Sequence, residues 1–290
     1  MILWSVILWK GGGKVNTFES IIYGFVSGMT EIFPVSSQAN QMVMRQMFGV
    51  MEKEPIRDML VHIAALAALL LACRGLIAKI RREQVLAYRM RRNPSQIRSL
   101  KGVYDMRLVK TAAPIMLIGL FLGFFLPNLY EKRPLFSLIL LINGAITMIP
   151  VYLHHGNRDA RIMTGLDGLL IGLAAALSAI PGISRNGAIM SVSLLREADK
   201  QNGLVWALLL SIPALVMLTF LDFIAIFTVG VGTLSLSVVI GYLISMLASF
   251  AGAFIAVSFA RKLISHSDFG GFAYYDFGLA LFSFIVYLIV

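Results

Sequence analysis

Residues 181–189 read Pro181-Gly182-Ile183-Ser184-Arg185-Asn186-Gly187-Ala188-Ile189, inside a stretch otherwise apolar enough for the middle of a membrane. A guanidinium at that depth is costly and marks a place where something anionic is held. Gly182, Gly187 and Ser184 let backbone N–H groups and a hydroxyl approach a ligand. Residues after Pro181 can open a half-helix whose N-terminal N–H groups and dipole favour an anion. Together they suggest a phosphate, and the apolar surroundings suggest that it belongs to a lipid.

Working outward, hydrophobic residues make up 58% of 290 positions and charged residues 14%, against the roughly 25% charged usual in soluble domains. Charge-free stretches near 20 residues recur at Thr111–Tyr130, Pro134–Leu153, Gly203–Leu221 and Phe223–Ala260, the last with a break near Gly230 and Gly232. A spanning helix needs about 20 apolar residues. The fold class is therefore an all-α polytopic membrane protein. Cys73 is the single cysteine, which rules out an internal disulfide. The net charge of +10 suggests no nucleic-acid partner, because eleven of the 25 Lys and Arg fall between Arg74 and Lys110. A loop this basic should stay in the cytoplasm and contact anionic headgroups.

With Arg74–Lys110 fixed inside, counting crossings makes Phe18–Gly49 begin and end outside, and Gly165–Leu195 begin and end inside. Each breaks at a proline in a Gly/Ser-rich turn, Pro34-Val35-Ser36-Ser37 and Pro181-Gly182-Ile183-Ser184. Gly24 precedes the first proline and Gly172 the second at nearly the same distance. The expectation is one membrane domain of two inverted repeats, about residues 15–150 and 160–290, with two re-entrant hairpins meeting at mid-membrane. Such repeats gather helix N-termini and free backbone groups around a site. The plainer alternative is two ordinary helices kinked by proline.

The first turn carries Thr30, Glu31, Ser36, Ser37, Gln38, Asn40 and Gln41, and Arg185 is the obvious partner for the Glu31 carboxylate. Arg can hold two phosphate oxygens at once and stabilise charge as a phosphoryl group transfers. Glu31 could accept a proton from a water or a serine hydroxyl, and Ser36 or Ser37 could donate hydrogen bonds or act as a nucleophile. A purely structural Glu31–Arg185 ion pair is the bland reading.

Ser27-Gly-Met-Thr-Glu31-Ile-Phe-Pro-Val-Ser-Ser37-Gln-Ala-Asn40 resembles the Glu-Gly-x-Thr-Glu-Phe-x-Pro-(Val/Ile)-Ser-Ser-Thr-Gly-His segment of bacterial undecaprenyl-diphosphate phosphatases, the bacitracin-resistance type. Residues 181–189 resemble their Pro-Gly-x-Ser-Arg-Ser-Gly-Ala-Thr, and Asp58–Leu69 with His62 resembles the helix between. The resemblance implies a bacterial plasma-membrane enzyme that hydrolyses a polyprenyl diphosphate to the monophosphate at the outer face, often with a divalent cation such as Mg²⁺ or Ca²⁺. It implies that Glu31 is a base or metal-facing group, that Ser37 is a nucleophile or phosphate donor beside Ser36, and that Ser184 and Arg185 bind phosphate, with Asn186 and Gly182 beside them. A second copy of the chain is one optional partner.

The sequence departs from the pattern at Ser27 for the first glutamate, Asn40 for the histidine, Asn186 for a serine and Ile189 for a threonine. Glu19, about two helical turns before Ser27, and His62, with Asp58 four residues before it, are the stand-ins to look for. The alternative function is a polyprenyl-phosphate binder or flippase on the same scaffold, keeping Arg185 without hydrolysis. Asp222 and Asp276 are expected at membrane interfaces, the Glu52–Asp58 charges in an external loop, and Ala248, Gly252 and Ala256 at a close helix contact.

Overall fold

A computed structural model describes residues 16–48, 54–91, 94–126, 133–152, 156–230, 234–266 and 270–289. The described residues are almost wholly helical. We number the helices α1 (Thr17–Ile32), α2 (Ser37–Met47), α3 (Pro55–Ala72), α4 (Arg74–Arg89), α5 (Lys101–Gly123), α6 (Arg133–Met148), α7 (Gly165–Ala176), α8 (Arg185–Leu195), α9 (Lys200–Val229), α10 (Leu236–His266) and α11 (Gly270–Ile289), with single helical turns at Pro94–Ile97 and Leu177–Ala179. Four of them, α3, α5, α9 and α10, are long and apolar enough to cross a membrane. Large apolar side chains such as Ile118, Leu122, Phe220 and Leu247 point outward, as a lipid-facing surface requires. The chain is a multi-pass membrane protein.

Local chemistry sets the helix ends. Pro34 has no N–H and disfavours helical backbone in the residue before it, so α1 stops at Ile32 and Phe33 is extended. Ser36 then caps α2 by accepting the Ala39 N–H. The second break repeats the device: Gly182 takes φ +107°, a left-handed value that favours glycine, and Ser184 caps α8 by accepting the Gly187 N–H. Ser37 and Arg185 are thus the first residues of two equivalent helices. Thr164 and Asp167 form a reciprocal capping box on α7. Gly230, at φ +89°, ends α9 where the break was predicted.

The helices pack in an exchanged pattern. α1, from the first half, lies against α10 of the second, and α7 of the second half lies against α5 of the first. α3 also packs on α9, and α6 on α11. Small residues allow the closest approaches: Gly24 and Gly28 sit on the Ser245 and Ser249 carbonyls, Gly252 on the Phe25 carbonyl, and Gly172 on the Ala112 carbonyl. The contact stripe on α10 therefore runs through Ser245, Ser249, Gly252 and Ala256, whereas Ala248 is only half-buried. The main core fills the space between α3, α5, α8, α9 and α10 with Leu69, Met116, Ile189, Trp206 and Leu215; the Trp206 Nε1–H donates to Asp105 at 2.8 Å.

Two loop expectations need correction. Arg74–Lys110 is not an open loop: α4 continues α3 past Cys73 and folds back on α5, where Glu83 accepts the Gly102 N–H at 2.5 Å. Part of the acidic–basic loop expected outside is also helical and buried. Arg57 and Asp58 lie in the first turn of α3, with Asp58 accepting the Tyr23 hydroxyl at 2.7 Å and pairing with Arg45. The Arg57 guanidinium stacks 3.8 Å over the Tyr23 ring, and Glu54 holds it at 2.5 Å. Residues 52 and 53 lie outside the described residues.

Candidate active site

The two breaks meet inside the protein. Arg185 Nη2 donates to the Glu31 backbone carbonyl at 3.1 Å, to Glu31 Oε2 at 3.2 Å and to Ser211 Oγ at 3.4 Å. The Asn186 amide donates to the Glu31 and Ile32 carbonyls at 3.0 and 2.8 Å. The last carbonyls of a helix have no partner within it, and at the end of α1 the first residues of α8 supply those partners. This is a physical reason for Asn at 186, whose two amide protons reach two carbonyls. Its Oδ1 in turn accepts the Ser211 hydroxyl at 2.9 Å.

The Ser37 hydroxyl donates to Glu31 Oε1, so each oxygen of that carboxylate is engaged, one by a hydroxyl and one by a guanidinium. Glu31 is 4% exposed and Arg185 8%. A buried pair of this kind is held only when its remaining donors and acceptors are satisfied, yet Arg185 Nε has no partner among the described residues. The spare donor fits an anionic guest. The junction opens on a small cavity of about 30 Å³ lined by Glu31, Ser37, Gln38, Ser178, Ser184, Arg185 and Asn186 with Phe33, Leu120 and Leu218. A space of that size holds water rather than a diphosphate, so a phosphoryl group seats only when the surrounding side chains part.

Of the predicted residues, the structure brings Glu31, Ser37, Ser184, Arg185 and Asn186 together. Ser36 and Gly182 shape the turns without lining the cavity. Asn40 is turned away: its amide donates to the Ser36 carbonyl at 2.8 Å and its oxygen accepts the Tyr275 hydroxyl. Ser27 is fully buried on α1, its hydroxyl without a partner among the described residues. Glu19 is not a stand-in, since it lies about 18 Å of helix rise before Glu31, half-buried at the far end of α1.

His62 does reach the site. Its Nε2 is 3.5 Å from Glu31 Oε1 and its Nδ1 is 2.6 Å from Asp222 Oδ2. Asp222 thus has its partner on another helix of the bundle, and Asp276 is fully buried, its Oδ2 accepting the Asn143 amide at 2.6 Å. Asn143 then accepts the Ser184 N–H at 2.7 Å, so α6 and α11 brace the second turn. Sequence reasoning missed Asn143 and Ser211. The available signal was a polar residue in an otherwise apolar helix facing the bundle interior.

As a metal ligand Glu31 fits poorly. Among the described residues no group of three or more His, Cys, Asp and Glu could hold a metal ion, and both Glu31 oxygens already serve Ser37 and Arg185.

A carboxylate, a hydroxyl and a guanidinium held where the two helix breaks meet, inside a bundle of membrane helices, define a polytopic membrane protein with a buried cluster of charged and polar groups. The comparisons with known proteins narrow that class. The chain belongs to the family described as Bacitracin resistance protein BacA, whose model matches residues 20–282. It is similar to the undecaprenyl-diphosphatase of Carboxydothermus hydrogenoformans, 26% identical over 261 residues covering 90% of this chain and 94% of that one. It also resembles that of Alkaliphilus metalliredigens, 28% identical with 90% and 95% covered, and undecaprenyl-diphosphatase 1 of Shouchella clausii, 28% identical with 93% and 96% covered.

Proposed function

We propose that the protein hydrolyses undecaprenyl diphosphate to the monophosphate, returning the cell-wall lipid carrier to use. The observation that carries this reading is the Ser37–Glu31–Arg185 line: a hydroxyl already donating to a carboxylate beside a guanidinium with a spare buried donor. Family membership and three relatives named as undecaprenyl-diphosphatases, matched over 94–96% of their lengths, support it.

Arg185, with the N-terminus of α8, takes the terminal phosphoryl group and balances the charge that builds on its oxygens. Ser37 Oγ attacks that phosphorus, its proton passing to Glu31. The bond to the bridging oxygen breaks, and the departing monophosphate takes the proton from Glu31. Water then attacks the phosphoserine, giving a proton to Glu31, which returns it to Ser37 as inorganic phosphate leaves. A divalent cation belongs in this scheme as part of the substrate, chelated by the diphosphate itself. The further elements of the reading are a bacterial plasma-membrane location, a site open to the outer face, and anionic lipids against the basic α4 segment; mass measurement in detergent tests for a second copy.

A binder or flippase would need Arg185 but not the Ser37–Glu31 hydrogen bond. The test is phosphate release from undecaprenyl diphosphate by the purified protein in detergent, with and without Mg²⁺ or Ca²⁺. Release that disappears in both Arg185→Ala and Ser37→Ala is expected. Lipid binding without release would establish the carrier instead.

A further inference from the structure

Asp222 sits on α9 one turn beyond Leu218, a wall of the cavity, and its side chain is 21% exposed. It meets His62 across a separation of 160 residues. From it the groups run in a line: Asp222 Oδ2 to His62 Nδ1, 2.6 Å; His62 Nε2 to Glu31 Oε1, 3.5 Å; and Glu31 Oε1 to the Ser37 hydroxyl. The oxygen that faces the ring is the one that accepts from Ser37. Three helices of different origin, α1, α3 and α9, contribute to this line, and α2 supplies its end.

An imidazole on an apolar helix packs without needing a carboxylate at one nitrogen and a second carboxylate at the other. Burying two extra ionisable groups to no purpose is expensive. A carboxylate with only a serine and a guanidinium to hold it can rotate about its last torsion, since such terminal torsions are broad. His62 closes that freedom at Oε1, the oxygen that the Arg185 contact at Oε2 leaves to Ser37, and Asp222 fixes the ring that does so. We propose that Asp222 and His62 are positioning residues of the active site: Asp222 anchors the His62 ring, and the ring holds Glu31 Oε1 in line with the Ser37 hydroxyl. In this sequence the imidazole comes from α3, while position 40, in α2, is turned to Tyr275.

This inference rests on the phosphatase reading, and its test keeps the two apart. Phosphate release from undecaprenyl diphosphate is measured for wild type, Asp222→Ala, His62→Gln and the double variant, with kcat and KM determined separately. A misplacement near 1 Å at a reacting group costs on the order of 100-fold in rate. The expectation is a fall in kcat of about 10- to 100-fold in each single variant, KM within about threefold, and a double variant no slower than the slower single one, as for residues that act as a unit. Should Asp222→Ala not fold, Asp222→Asn keeps the shape; its effect in the wild-type background is expected to vanish in the His62→Gln background. An active wild type with unchanged kcat in these variants, with additive losses, or with KM rising in step overturns the positioning role alone. An inactive wild type overturns the phosphatase reading beneath it.

Discussion

Replacing Arg185 by alanine leaves Glu31, 4% exposed with Arg185 in place, facing only the Ser37 hydroxyl and the His62 ring. Breaking a buried ion pair on one side costs about 3–5 kcal/mol, because the remaining charge is left uncompensated. The carbonyl of Glu31 also loses one of its two donors, although the Asn186 amide still holds it. With His62 remaining at 3.5 Å, the lower end of that range is expected, a fall in melting temperature on the order of 10 °C. Activity falls for a separate reason, since a charged donor aimed at transferring oxygens contributes on the order of 100- to 1000-fold. The two effects separate in the double variant Glu31→Gln/Arg185→Met. Removing both charges together with shapes preserved is often neutral for stability, so melting in detergent should return to within a few degrees of wild type while phosphate release stays absent. A double variant as unstable as Arg185→Ala would refute the account of the pair. An Arg185→Ala protein that still releases phosphate at a tenth of the wild-type rate or better would refute its catalytic part.

Ser37→Ala removes the proposed nucleophile and the hydroxyl that donates to Glu31 Oε1; release should fall by roughly a thousandfold or more, while stability falls only by about 1–3 kcal/mol for one lost buried partner, measured on the same preparations. Asn143→Ala leaves both Asp276 Oδ2 and the Ser184 N–H without their 2.6 and 2.7 Å partners. It should destabilise by about 1–3 kcal/mol per group left unsatisfied, read from thermal melting. Gly28→Ala sets a methyl against the Ser249 backbone; forced separation of α1 from α10 should cost about 1–3 kcal/mol, whereas Gly75→Ala, with open space around it, should melt no lower than wild type.

The membrane class, the breaks at Pro34 and Pro181 and the meeting of Glu31 with Arg185 were all legible in the sequence. Each rests on local chemistry: apolar length, a missing N–H, or a charge that cannot be buried alone. Contacts that depend on how helices rotate were not legible. The spacing of Glu19 from Ser27 allowed a shared face, but spacing fixes an angle and not a depth, and Glu19 lies at the other end of α1. Asn40 follows its helix toward Tyr275, a residue 235 positions away. The pairing of Asp222 with His62 was not legible either, because nothing in the local sequence brings α3 alongside α9. The basic stretch from Arg74 was read as a loop because its charge dominated; its helical spacing of Ile80 and Glu83 toward α5 was the weaker, overlooked signal.

The exchanged packing has a consequence in time. The Ser245 hydroxyl reaches the Ser20 carbonyl at 3.0 Å across 225 residues of sequence, so the groove of α1 at Gly24 and Gly28 is made early and covered late. At synthesis rates of about 5–20 residues per second, the first helix waits on the order of 10 to 45 s for α10 to leave the ribosome. During that interval a nascent chain shows a glycine-lined face to lipid and to whatever escorts new membrane helices. A chain that stops short of α10 therefore lacks the surface against which α1 packs.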